Sequence, residues 1–206
     1  MRLLSEYYEV SLNQIQLTEA VNSAPGSPIM LRGIIIQRAD AKNRNGRIYP
    51  KDVLKREIDK YIENMVDMNR ALGELDHSAE SVVNLKNVSH NIKNIYWKGN
   101  DVIADLEILD APEFPAGRIA AGLLRRKIPV GISSRGMGSV DEAKDGTVTV
   151  NDDFNLLTFD LVSFESTQGA NMYLQEGKTI SNDKNSKIDS ILKELICINA
   201  GYCPCD

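Results

Sequence analysis

Histidine is scarce in this chain. His77 and His90 are the only two, so any proton transfer near neutral pH that needs an imidazole must use one of them. His77 follows Leu72-Gly73-Glu74-Leu75-Asp76. An imidazole there could take a proton from a hydroxyl and return it to a leaving amine. Hydroxyls stand in Gly131-Ile132-Ser133-Ser134-Arg135-Gly136-Met137-Gly138. Three glycines so close together predict a tight loop that exposes its amides, able to present a hydroxyl and to donate to a developing oxyanion. The base of such a pair needs a third group to orient it. Asp160 lies in the apolar run Leu156-Leu157-Thr158-Phe159-Asp160-Leu161-Val162, where simple alternation would instead turn it to solvent. His90 competes for the same role, since two histidines and a serine also make a workable triad. Glu74, Asp76, His77, Glu80 and His90 offer metal-type donors, but no His-x-x-x-His or cysteine pair supports zinc. No metal or cofactor is indicated.

The elements that must position these groups are short and mixed. Met30–Gln37 reads as a strand, and a helix is predicted from Lys51, with Val53, Leu54, Ile58, Tyr61, Ile62 and Met65 at helical spacing. Val88–Tyr96 and Asp101–Leu109 read as strands joined at Lys98-Gly99-Asn100. Pro115–Lys127 reads as a helix with Ile119, Ala120, Leu123 and Leu124 on one side, and Thr147–Val150 and Phe154–Phe164 as further strands. The sum is an α+β fold built around a barrel or strongly curved sheet. Residues 1–29 are expected to be weakly structured, 30–176 to form the main domain, and 177–206 to be a polar linker with a C-terminal appendage.

With 206 residues, 42% of them apolar, and a net charge of −5, the chain can bury one real core. Acidic and basic residues are interspersed, which argues against a nucleic-acid arm or a membrane-surface helix, and no apolar run is long enough to span a bilayer. The N-terminus lacks the apolar core of a signal peptide. Three cysteines, Cys197, Cys203 and Cys205, crowd the C-terminus and supply no disulfide framework.

Four phrases in order carry a family resemblance. They are Asn43-Arg44-Asn45-Gly46-Arg47-Ile48-Tyr49-Pro50, Leu72-Gly73-Glu74-Leu75-Asp76-His77, Tyr96-Trp97-Lys98-Gly99-Asn100-Asp101-Val102, and Gly131-Ile132-Ser133-Ser134-Arg135-Gly136. Across residues 30–175 the chain resembles the prohead core proteases of T-even-type phages, which are related in fold to the herpesvirus maturation proteases. The resemblance implies a small β-barrel wrapped by helices and a serine endopeptidase. His77 would be the base, Ser133 the nucleophile (Ser134 if the match is made on Ser-x-Gly) and Asp160 the third member, with His90 as its rival. Amides at Arg135 and Gly136 would form the oxyanion hole.

The implied substrates are phage scaffold and major capsid proteins, cut after Glu in Leu/Ile-x-Glu inside the immature head in the host cytoplasm, with self-cleavage. Homo-oligomerisation is left open. A glutamate before the cut bond calls for a cationic pocket, for which Arg135, Arg125 and Arg126 are candidates. The tripeptide pattern occurs at Leu4-Ser5-Glu6, Leu17-Thr18-Glu19, Leu174-Gln175-Glu176 and Leu192-Lys193-Glu194, and at Leu72-Gly73-Glu74, where folding should protect it. The contrasting expectation is a non-catalytic assembly or scaffold-binding protein on a related barrel.

Overall fold

β-branched runs broken by glycine and proline make strands the dominant element. The structure, a computed structural model, describes residues 2–9, 24–43, 45–128 and 130–163. The cysteines, the linker and C-terminal appendage, and the tripeptides beginning at Leu17, Leu174 and Leu192 lie outside the described residues.

The strands are β1 (Arg2–Glu9), β2 (Ile29–Arg38), β3 (Arg47–Ile48), β4 (Leu72–Glu74), β5 (Val88–Lys98), β6 (Asp101–Ile108), β7 (Val130–Gly138), β8 (Val140–Glu142), β9 (Val148–Val150) and β10 (Asn155–Ser163). The α-helices are α1 (Lys51–Tyr61) and α2 (Pro115–Arg125). Three sheets result, with strand orders β1-β7-β10, β2-β6-β5-β4 and β3-β9-β8.

In β2, Leu31 and Ile34 both face inward although they are an odd number of residues apart. The register shift between them, with Gly33 at φ 69°, absorbs the extra residue as a bulge and keeps Ile29, Leu31, Ile34 and Ile36 in the core. α1 starts after Pro50, whose ψ of 139° is extended. It buries Val53, Leu54, Ile58 and Tyr61 at helical spacing, each worth roughly 1.5–3 kcal/mol against exposure. The Tyr61 ring meets Phe159 edge to face at 5.7 Å, which seats the helix on β10.

Four expectations change. α2 buries Ala116, Gly117, Ala120, Ala121 and Leu124, whereas Ile119 is 55% exposed. Close approach selects that face, since a side chain at Gly117 would put its Cβ 2.0 Å from the Leu109 carbonyl. The glycine-rich phrase at 131–138 is not a loop but the middle strand of its sheet. A Cβ at Gly136 would lie 2.4 Å from the Phe154 ring, so glycine there answers packing rather than turning. The expected weakly structured N-terminus contains β1, which pairs antiparallel along β7 from Arg2↔Gly138 to Glu9↔Gly131. Its short stretch of alternation carried too little pattern to show this without the partner strand. Finally, the ladders do not close into a barrel among the described residues: β1 and β2 share none.

The sheets β1-β7-β10 and β2-β6-β5-β4 are joined at a seam between β4 and β10. Leu75 bridges Leu161 in parallel. The Asp76 N–H donates to the Leu161 carbonyl at 2.7 Å, and Thr158 Oγ1 donates to the Leu72 carbonyl at 2.8 Å. Chain segments more than eighty residues apart are thereby stitched together just before His77.

Candidate active site

β-Strand geometry alone assigns the side chains of β7 to opposite faces. Ser133 and Arg135 share one, Ile132 and Ser134 the other. β10 runs antiparallel to β7 with Asp160 directly opposite Ser133, so cross-strand pairing puts the carboxylate on the hydroxyl's face.

His77 arrives from β4. Gly73 lets that strand press against β10: a Cβ there would stand 2.0 Å from the Phe159 carbonyl and 2.3 Å from the His90 ring. Asp76, at φ 64°, takes a left-handed turn that aspartate tolerates better than most residues. The next residue is thereby swung over the Ser133 face.

The result is a hydrogen-bonded row. His77 Nδ1 lies 2.9 Å from Asp160 Oδ2, and His77 Nε2 lies 2.7 Å from Ser133 Oγ. An ionised carboxylate only accepts, so Nδ1 carries the proton and Nε2 accepts from the serine hydroxyl. The ring is 14% exposed, while Asp160 is fully buried, not on the solvent face that alternation suggested. The row is therefore open to solvent at its middle and anchored in protein at its acidic end.

Asp160 is held from several sides. Its Oδ1 accepts from the Glu74 N–H at 3.0 Å and from Arg135 Nη2 at 3.2 Å. Arg135 Nε stands 2.9 Å from Oδ2 as an ion-pair contact, although its N–H does not point along that line. Arg135 Nη2 also donates to Glu74 Oε1 at 2.6 Å. Burying charge costs several kcal/mol per ion unless it is paired. Here one guanidinium is shared by two carboxylates, although Glu74 Oε2 has no hydrogen-bond partner.

The remaining expected residues fall elsewhere. Ser134 Oγ faces β2 and accepts from Gln37 Nε2 at 3.1 Å in the interior. His90 is fully buried in β5, with Nδ1 3.0 Å from Ser89 Oγ, and no bond links it to Ser133. It does not occupy the third place in the row. The Arg135 and Gly136 amides, expected as oxyanion donors on a loop, lie inside β7 and face β1 or β10. The Arg135 guanidinium is wholly buried in the cluster and cannot line an open cationic pocket. Arg125 pairs with Asp110, and Arg126 is exposed with a bond to the Gly122 carbonyl. Of the matching tripeptides, Leu4-Ser5-Glu6 lies within β1, and Leu72-Gly73-Glu74 is β4 itself, with Glu74 buried.

The sequence reading missed Glu74 as a buried partner of the acid. Its signal was faint: a carboxylate beside a glycine, three residues before the histidine. No cluster of three or more histidine, cysteine or carboxylate side chains suited to a metal ion occurs among the described residues, and none of their helices is long and apolar enough to cross a membrane.

Comparisons with known proteins agree on one family. The model of the family described as "Prohead core protein serine protease" matches residues 15–182. The chain is similar to the prohead core protein protease of Enterobacteria phage T4, 36% identical over 128 residues. That stretch is 62% of this chain and 59% of the relative, so it spans less than two thirds of the relative's length. Among solved structures, the bacteriophage T4 capsid assembly protease is similar at 27% identity with a TM-score of 0.66, covering 79% of this chain and 98% of that one.

Proposed function

We propose that this chain, which belongs to the prohead core protein serine protease family, is a serine endopeptidase whose nucleophile is Ser133, whose general base is His77 and whose orienting acid is Asp160. One observation carries the reading: the unbroken row from the Ser133 hydroxyl through both ring nitrogens of His77 to the Asp160 carboxylate.

The chemistry follows from that row. Ser133 Oγ attacks the substrate carbonyl carbon while His77 Nε2 takes its proton. The imidazolium so formed faces the Asp160 carboxylate, which favours it. As the tetrahedral intermediate collapses, Nε2 gives the proton to the leaving amine and an acyl-enzyme remains. Water, deprotonated by the same nitrogen, then releases the acid. Asp160 keeps the proton on Nδ1 throughout and so holds the tautomer that this cycle requires.

The substrates on this reading are scaffold and capsid proteins of an immature phage head, as the relatives' names suggest. Cleavage after Glu in Leu/Ile-x-Glu, self-processing near the termini and action inside the head follow from the family resemblance. Kinship in fold with the herpesvirus maturation proteases belongs to the same reading, and superposition on one of them would test it.

The deciding experiment treats purified chain with a fluorophosphonate probe and with a fluorogenic Leu-Ala-Glu peptide. Label mapped to Ser133 and peptide cut after Glu are expected, both absent in Ser133→Ala. Folded chain that neither labels nor cuts would favour a non-catalytic assembly protein. Intact masses of wild type and Ser133→Ala address self-processing: equal full-length masses would count against it.

A further inference from the structure

A guanidinium removed from water needs reasons to be there, because an apolar side chain of similar volume would cost less. Arg135 is wholly buried, yet it touches every part of the row's support. Nη2 bonds Glu74 and Asp160, and Nε pairs with Asp160. Nη1 donates to the Glu80 carbonyl at 2.8 Å and reaches the Ser78 carbonyl at 3.4 Å. Those carbonyls belong to the loop that leaves His77. Glu74, at the start of the same loop, also accepts from the Asn84 N–H at 3.0 Å. The segment carrying His77 is thus gripped before the ring, just after it, and at its far end, by one ion pair that also fixes the acid.

Resting on the protease reading, we propose that Arg135, backed by Glu74, is the positioning residue of this site. It sets the imidazole loop and the Asp160 carboxylate in mutual register and touches no substrate itself. The planar fork matters. Five N–H groups in one plane can serve two carboxylates and two carbonyls together, whereas a lysine ammonium has three donors at a single point. Arg135→Lys therefore keeps the charge and loses the register.

The test compares wild type, Arg135→Lys and Glu74→Gln by thermal melting, by the low-field proton NMR signal of His77 Nδ1–H, and by rates of fluorophosphonate labelling and peptide cleavage. Arg135→Lys is expected to melt cooperatively and to lose or shift the low-field signal. Its kcat and labelling rate should fall by about 100-fold, the scale of an ångström-level misplacement, with KM within about threefold of wild type. A folded Arg135→Lys with an unmoved signal and a labelling rate within about threefold of wild type overturns the proposal. Should Arg135→Lys fail to fold, the isosteric Glu74→Gln decides. A displaced signal and labelling slowed by about tenfold support the role, and no change in either rejects it. The NMR comparison stands even if wild type never labels, so failure of the protease reading and failure of this inference leave different traces.

Discussion

His77 and His90 both feel the charge of the same buried aspartate, and their surroundings make them chemically unlike. His77 sits on a turn at the sheet seam, partly open to solvent, with a carboxylate on one ring nitrogen and a hydroxyl on the other. His90 lies inside β5 with no solvent contact, and its Nε2 has no hydrogen-bond partner. Burial drives the His90 ring down to about 4, against the opposing pull of the Asp160 charge and the Phe159 carbonyl. Scarcity of histidine and nearness to Asp160 did not distinguish the two. What each ring meets did: His77 is backed by a carboxylate, faces a hydroxyl and reaches solvent, whereas His90 is sealed and has no bonded carboxylate.

The sharpest way to break this contrast is to remove each ring in turn. His77→Ala should lower kcat for peptide cleavage by on the order of 10^4-fold or more and shift the melting temperature little, because the ring fills a partly exposed position. His90→Gln should cut at a rate near wild type. Equal losses in the two would erase the distinction.

Acid offers a second test, with a sign that follows from burial. An unfolded histidine binds its proton near 6.5, whereas His90 in the fold binds one only near 4. Its contribution to stability is therefore complete above pH 6.5 and is lost as pH falls toward 4. That lowering corresponds to about 3 kcal/mol. Denaturant melts across that range should show the loss in wild type and a flatter profile in His90→Gln.

Gly73, four residues before His77, packs against the His90 ring. Gly73→Ala must move the Phe159 carbonyl or the His90 ring, for a cost of about 2 kcal/mol. Because the strand leads to His77, labelling of Ser133 should slow with it. Unchanged stability would mean that the strand gap is softer than its contacts imply. The smallest effect belongs to the neighbouring hydroxyl. Ser134→Ala forfeits one buried bond with Gln37, about 1 kcal/mol, and should leave cleavage intact. Loss of activity there, with Ser133→Ala still active, would exchange the roles of the two serines.

Much of this was legible in the chain itself. The strands at Met30, Val88, Asp101 and Phe154 announce themselves through β-branched runs, and α1 through its period. The phrases around His77 and Ser133 marked two members of the row. Three features were hidden, each for a physical reason. Glycine was read as conformational freedom at 131–138, where Gly136 instead answers contact with Phe154. Asp160 was chosen as the third member, but its full burial was hidden, because the partners that enclose it lie in other segments. Arg135 looked like a ligand-facing cation because a one-dimensional reading cannot show a guanidinium enclosed by two carboxylates. Local pattern exposes an element, while the burial of charge is decided by what arrives from elsewhere.

The seam between Leu75 and Leu161 has a consequence in time. His77 is made early, Ser133 some fifty positions later and Asp160 last, so a chain emerging from a ribosome carries no complete row until Asp160 has been synthesised and β10 has docked. At typical elongation rates of about 5–20 residues per second, the imidazole waits several seconds without its acid. On the protease reading, a nascent chain with this topology holds an unfinished row during that interval, and full cutting power would wait for the closing of the last joint.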